Sequence, residues 1–406
     1  MTFKKLLSCI LLASASFAFA QEQTTKTKIY GYVGNDFFYN SRQNVEMVDG
    51  IIQLFPKPVE LSAGVDKNEV AQAEMLSVNT RLGVDITGTP VLGAKTSGKI
   101  EADFAGFGTS YYVFRIRQAY MKLNWAKTEL LVGQTWHPLF GSVIPSTFSA
   151  NAGAPFQPFN RSPQVRLKQS LSSTLSFTAA ALYEMQYASQ GPLGTINTYM
   201  KNALVPNLFV GLENKNAHWT NGVGVDFKSL KPDVKYVSSL SAVAYSQYVN
   251  NKFQIKAKAI YGENLSDQLM LGGYGVSKYA ADSTTVLKYT NFNNLSTWLN
   301  VVYGTKIQVS VLLGLSQNLG TNEDLAARKG GKYTAYGYGY YDASQSVVDR
   351  LYRVAPQVSY NLANMKFGLE YDFTTAAYGN VRKDGTAGTA NNVNNHRVLA
   401  SVMYIF

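Results

Sequence analysis

The chain is poor in the residues on which most catalytic and metal chemistry rests. It has one cysteine in 406 residues, Cys9. That residue lies in an expected export leader, so the mature chain forms neither a disulfide nor a cysteine metal site. There are three histidines, His137, His218 and His396, far apart in sequence. None sits in a His-Glu-x-x-His or Gly-x-Ser-x-Gly context, so no metallohydrolase or serine-hydrolase motif is present. His137, between Trp136 and Pro138, is the one histidine placed for a rim site, and a structural role in its loop is the stronger reading. The acidic clusters in 321–324 and 342–349 lack calcium-loop spacing. No cofactor and no metal site is expected. No stretch after the leader approaches the ~20 consecutive apolar residues of a spanning helix. No basic tract accompanies the formal net charge of +11, which argues against nucleic acid as a partner. Linkers, composition breaks and internal repeats are also missing, so residues 21–406 are expected to form a single domain.

Residues 1–20 read as a signal peptide. Lys4 and Lys5 supply the charged region, Leu6 to Ala13 the apolar run, and Ala18-Phe19-Ala20 the cleavage pattern before Gln21. Losing the two lysines takes the formal charge from +11 to +9.

What is abundant is aromatic residues, 27 Tyr and 21 Phe, and a period of two. In Arg397–Phe406, Val398, Ala400, Val402, Tyr404 and Phe406 share one face of a strand. Ile307, Val309, Val311, Leu313 and Leu315 oppose Lys306, Gln308 and Ser310. Met365, Phe367, Leu369, Tyr371 and Phe373 oppose Lys366, Glu370 and Asp372. Strands are expected at 28–39, 77–87, 94–104, 112–124, 128–136, 163–170, 173–184, 219–227, 237–247, 253–262, 268–277, 294–303, 305–315, 351–359, 364–373 and 396–406. That makes about sixteen, an even number, as a single-chain transmembrane barrel of the bacterial outer membrane needs. Short connections alternate with long ones at 40–76, 137–162, 185–218, 316–350 and 374–395, the asymmetry of periplasmic turns and extracellular loops. The strand at 112–124 breaks phase: Tyr112, Phe114 and Ile116 oppose Arg115 and Arg117, yet Met121, Leu123 and Trp125 fall on the arginine side. Either a bulge switches the phase or this wall meets a neighbouring subunit.

A soluble sandwich alternates too, with its apolar face inside. Three features favour lipid outside: the leader, the terminal aromatic pair at girdle height, and bulky charges of both signs on the polar face. A sheet in hydrocarbon must then close on itself, because no water is there to satisfy an open edge. The fold expected is an all-β antiparallel transmembrane barrel.

Loop 137–162 is long and rich in Pro, Gly, Phe and Asn. Trp136, His137, Phe140, Phe148, Phe156 and Phe159 would find cover only if it folds into the lumen, where it would narrow the bore. The segments RLGVDITGTPVLGAKTSGKIEADF (81–104), FRIRQAYMKLNWAKTELLVGQTWHPLF (114–140) and GAPFQPFNRSPQVR (153–166) are similar to the DcaP-type porin family of Gram-negative outer membranes. The similarity is specific in the first half and lies mainly in pattern in the second. It implies a homotrimeric barrel passing small anionic solutes through a basic constriction, which falls on arginines such as Arg115, Arg117, Arg161 and Arg166.

The polar faces collect Arg81, Lys95, Lys99, Arg166, Lys168, Lys256, Lys258, Lys306, Arg353, Lys366 and Arg397. Against them stand Asp85, Glu101, Asp103, Glu370 and Asp372, an excess of about two to one that would favour anions in a narrow bore. The function expected is passive diffusion of small hydrophilic, anionic solutes through an outer-membrane pore, with lipid and lipopolysaccharide around it. Two rivals remain: a plugged barrel serving a larger envelope complex with other proteins, and an outer-membrane barrel enzyme.

Overall fold

The computed structural model describes residues 25–105 and 113–406. The expected leader, with Cys9, and Tyr112 lie outside the described residues.

Sixteen strands form one antiparallel sheet that closes on itself. They are β1 (Lys26–Asn40), β2 (Gln72–Leu76 continued by Arg81–Thr87), β3 (Lys95–Asp103), β4 (Arg115–Asn124), β5 (Thr128–Trp136), β6 (Arg161–Ser170), β7 (Leu175–Leu182) and β8 (Asn207–Lys215). The second half comprises β9 (Trp219–Leu230), β10 (Val237–Asn250), β11 (Phe253–Glu263), β12 (Val286–Gly304), β13 (Ile307–Thr321), β14 (Ser346–Asn361), β15 (Met365–Asn380) and β16 (Asn391–Ile405). Closure comes from β1, which pairs with β2 on one side and with β16 on the other, Tyr32 opposite Ile405 through Asn40 opposite Arg397.

Burial is inverted relative to a soluble protein. On β13, Val309, Leu313 and Leu315 are exposed, while Ser310 and Ser316 are buried. On β15 and β16, Leu369 and Val398 are exposed, while Glu370, Asp372 and Arg397 are 1–2 % exposed. Apolar side chains therefore cover the outside and ionisable ones the inside, the arrangement that a hydrocarbon solvent selects. Each wall strand pairs with a neighbour on both sides, so the sheet presents no open edge.

The connections sort by length. At one rim the turns are short, down to the two-residue link 251–252. There Asn251 takes φ +46°, a left-handed conformation that Asn tolerates in tight hairpins. At the other rim stand the loops 41–71, 137–160, 183–206, 231–236, 264–285, 322–345 and 381–390.

Two sequence expectations need correction. A wall strand, Asn207–Lys215, lies inside the expected loop 185–218. Its inward face carries Phe209 and Gly211 ahead of Glu213, so most of the strand reads as apolar or neutral on both faces and the alternation is masked. The expected strand 268–277 does not belong to the wall. Gly272–Tyr279 instead pairs with the upper part of β12 and with Ala335–Tyr338, forming a small roof over the long-loop rim. The two errors cancel in the strand count but invert the expected direction of 219–262.

The phase break has a local cause. Glu101 lies opposite Gln118, yet Ala102 lies opposite Ile116, so Arg117 is the extra residue of a bulge in β4. Arg115 and Arg117 point inward above it, and Gln118, Tyr120 and Lys122 point inward below it. Ile116 and Met121 are then both exposed on the outer wall.

Candidate pore site

Segment 137–160 leaves β5 at Trp136 and rejoins the wall at Arg161, and its sequence dictates how it seats. Phe148, Phe156 and Phe159 are each 3 % exposed or less. Phe148 fits against Gly368 of β15 and Phe156 against Gly314 of β13; at either glycine a Cβ would collide with the ring. Wall glycines thus leave the notches that the loop aromatics fill. Polar bonds fasten the same side of the loop. The Phe148 and Ser149 amides donate to Glu370 Oε2 at 2.7 and 3.3 Å. Lys256 Nζ donates to Ser146 Oγ at 2.9 Å, and Lys258 donates to the Phe140 carbonyl. Asn300 accepts from the Ser146 amide.

A second segment shares this space. The hairpin Asn44–Met47 and Ile52–Pro56 of loop 41–71 is buried throughout its second arm. Arg353, 2 % exposed, binds both loops: its guanidinium donates to Ala154 O and Leu54 O, each at 2.8 Å, and meets Asp372 at 2.9 Å. Arg397 donates to Gly50 O and lies 4.1 Å from the Phe38 ring centroid. Ile52, Leu54, Phe55, Phe148, Phe156 and Leu351 belong to one continuous apolar core inside the barrel. This intruding hairpin is legible in Ile51-Ile52-Gln53-Leu54-Phe55-Pro56, an apolar run in an otherwise polar loop, by the same reasoning that applies to 137–162.

The opposite face of segment 138–149 looks across open space at β1–β9. One cavity, about 330 Å³, is lined by Arg81, Asp103, Arg115, Arg117, Ile144 and Phe148, among others. Another, about 300 Å³, is lined by Lys122, Glu129, Ser142, Arg166, Lys168 and Glu213, among others. The charges here are mostly paired. Arg115 grips Asp103 through two bonds of 2.7 and 3.1 Å. Arg117 bridges Glu101 at 2.9 Å and Asp103 at 2.8 Å. Lys99 pairs with Asp85, Lys122 with Glu129, and Lys168 with Glu213. Arg81 reaches Glu101 only at 3.8 Å. Arg166 has no carboxylate within 4.0 Å among the described residues.

The sequence-derived basic set therefore divides in four. Arg81, Lys99, Arg115, Arg117, Arg166 and Lys168 face the open side. Lys256, Lys258, Arg353, Lys366 and Arg397 face the docked loops, Lys366 lying 4.6 Å from the Phe148 ring centroid. Lys95 stands exposed at the short-turn end of β3, and Lys306 sits in the two-residue turn 305–306, outside the bore. Arg161 is wholly buried at the loop root. It bonds Gln186 at 2.6 Å and lies 4.5 Å from the Trp136 ring centroid. Trp136 stacks on Phe140 with ring centroids 4.0 Å apart and meets Phe159 edge-on. His137 is buried, its ring nitrogens facing the Leu139 amide and Asp226.

No family model matches the sequence, and no curated protein does. Among solved structures, the outer membrane channel DcaP of Acinetobacter baumannii matches at 18 % identity, covering 94 % of this chain and 97 % of that one, with a TM-score of 0.66. An anion-selective porin from Comamonas acidovorans matches at 9 % identity, covering 94 % and 100 %, with a TM-score of 0.55. The in-vitro folded OmpT, an outer membrane protein of Vibrio cholerae in trimer form, matches at 11 % identity, covering 94 % and 99 %, also at 0.55. At such identities the likeness is one of fold, and the chain is porin-like in fold.

Proposed function

We propose that this porin-like barrel is a non-enzymatic outer-membrane channel through which small hydrophilic solutes diffuse passively, anions in preference to cations. One observation carries the reading: loop 137–160 is fastened to β11–β15 and leaves its other face open towards a charged wall. Seven bases border that open side (Arg81, Lys99, Arg115, Arg117, Lys122, Arg166 and Lys168) against five acids (Asp85, Glu101, Asp103, Glu129 and Glu213). The pairs cancel much of this field, and Arg81 and Arg166 supply the surplus. A narrow bore with low-dielectric walls focuses that surplus, concentrating anions and repelling cations. Loop 137–160 sets the width, and the docked hairpin of loop 41–71 narrows it further.

The mode of assembly that fits is a homotrimer. Within the wall strands the strongly exposed aromatic side chains lie on β1, β9, β11, β12 and β14–β16, whereas β2–β8 present Leu82, Ile100, Met121, Val165 and Leu208, with Phe114 and Tyr183 exposed only just beyond the ends of β4 and β7. Aromatic girdles mark contact with lipid headgroups, so the aromatic-poor wall suits a neighbouring subunit. Outer-membrane lipid and lipopolysaccharide then meet the aromatic side.

The plugged-barrel reading draws support from the apolar core formed by both loops inside the barrel. Planar-bilayer recording of the purified protein separates the two. A channel gives stable single-channel steps and, in a salt gradient, a zero-current potential of the sign set by anion flow. A plugged subunit gives no steps.

A further inference from the structure

The root of loop 137–160 stands on a buried ionic cluster that solute passage does not use. The loop's two ends meet where the His137 amide donates to the Asn160 carbonyl at 2.9 Å. His137 Nδ1 accepts from the Leu139 amide at 3.1 Å, which puts the ring proton on Nε2. Nε2 faces Asp226 Oδ1 of β9 at 3.6 Å, and neither atom has a hydrogen-bond partner. Asn160 donates to the Asp267 carbonyl at 2.8 Å, and the Phe159 amide donates to Gln268 O at 2.9 Å. Lys228 of β9 donates to Asp267, to Asn264 O at 2.6 Å and to Ser189 Oγ at 3.3 Å. Glu184 accepts from the Ser189 amide at 2.9 Å and from its hydroxyl at 2.6 Å. Loops 137–160, 183–206 and 264–285 and strand β9 are thus tied in one knot.

Its charges do not balance. Three carboxyls (Glu184, Asp226 and Asp267), one ammonium (Lys228) and one imidazole (His137) are all buried. With every acid ionised and His137 neutral, the sum is −3 + 1 = −2 beside the apolar side chains of Leu139, Leu182, Phe209 and Leu265. A buried charge without a counterion is costly, and such a group keeps its proton instead.

We propose that this knot is a pH-responsive anchor for loop 137–160: closed while its two surplus carboxyls, Glu184 and Asp226, are protonated, and loosened as they ionise through and above neutrality. Its effect on conduction rests on the channel reading above; the anchoring itself does not. Lys228 neutralises Asp267, which leaves Asp226 of β9 and Glu184 as the surplus; Glu184 is the one outside the wall strands. Burial raises its pKa to about 7, neighbouring Asp267 adds to the rise, and Lys228 and Ser189 oppose it. The groups facing it are Asp267, Lys228 and, across the lysine, Asp226 and His137. Burial lowers His137 to about 4, so the imidazole stays neutral while Glu184 titrates. A carboxyl whose pKa is raised in the folded state stabilises that state fully below its ordinary value of 4.5. The stabilisation drains away as pH climbs and is gone above about 7. The anchor is therefore firm on the acid side of neutrality and weak on the alkaline side.

Two measurements on the full-length protein test this. In amide hydrogen exchange, corrected for intrinsic rates, the amides of Phe159 and neighbouring loop-root residues are expected to open at least about threefold more often at pH 8.5 than at pH 5.5. In bilayers, the time spent in loop-gated closures rises over the same range, and Glu184→Gln combined with Asp226→Asn, both fixed in the neutral form, abolishes the rise. Exchange that is flat with pH, or a pH step that persists when Glu184→Gln and Asp226→Asn are combined, overturns the anchor. An exchange step in a protein that passes no current leaves the anchor standing and removes the channel reading instead.

Discussion

Arg166 gives the sharpest handle on charge preference, because its guanidinium faces the cavity it shares with Lys122 and Lys168 and, among the described residues, no carboxylate lies within 4.0 Å of it. Its neighbours Lys122 and Lys168 are each engaged by a glutamate. A monovalent anion about 4 Å from an unpaired guanidinium gains about 1 kcal/mol at the dielectric of bulk water and about 4 kcal/mol at an effective value of 20. The cavity has water on one side and protein on the other, so about 1–1.5 kcal/mol is a conservative figure, worth about five- to tenfold in local anion concentration. Arg166→Gln removes that attraction without stranding a partner, since none is bonded to it. The anion-to-cation permeability ratio, from the zero-current potential in a KCl gradient, is expected to fall about three- to tenfold. The effect should be largest at about 0.1 M salt and shrink near 1 M, where the screening length falls to about 3 Å. A ratio unchanged at low salt would refute the assignment of the field to unpaired bases.

Other perturbations probe the loop seat and the assembly. Arg353→Met leaves Asp372 and two loop carbonyls unpaired, at a cost of about 3–5 kcal/mol. It should lower the denaturant midpoint and enlarge the open-state conductance, and an unaltered conductance would contradict the latch. Gly368→Ala drives a methyl into the Phe148 ring. Its expected cost of about 1–3 kcal/mol should expose loop 137–160 to proteolysis. Gly98→Ala, whose Cβ would meet nothing nearer than 3.5 Å, should change little. Met121→Arg, on the aromatic-poor outer wall, should yield folded monomers in native mass spectrometry; persistent trimers would exclude that wall as the subunit contact.

Much of the architecture is legible as a period of two, because lipid outside and water inside impose opposite chemistry on successive residues. The pattern fails where that contrast fails. Asn207–Lys215 places Phe209 and Gly211 on its inner face, under loop 137–160, and so hides among loop residues. Gly272–Tyr279 reads as a wall strand because Tyr274 and Val276 are buried, though beneath the roof and not against lipid. A bulge of one residue at Arg117 inverts the phase, and no local composition marks it. Charge is the least legible feature. Alternation assigns Lys258, Arg353 and Arg397 to the inner face correctly, but it does not reveal that loop carbonyls occupy them. Nor does it show that Glu184, the β9 pair Asp226 and Lys228, and Asp267, which come from three separate elements, converge beneath the loop root.

If the barrel is a channel, a continuous aqueous path runs between the free face of loop 137–160 and the inner wall of β1–β9. Single-channel recording of the purified wild-type protein in planar bilayers tests it most directly. Discrete, stable conductance steps with a zero-current potential favouring anions are predicted. A membrane-inserted protein that passes no current would contradict the account, and the core shared by loops 41–71 and 137–160 would then be a plug.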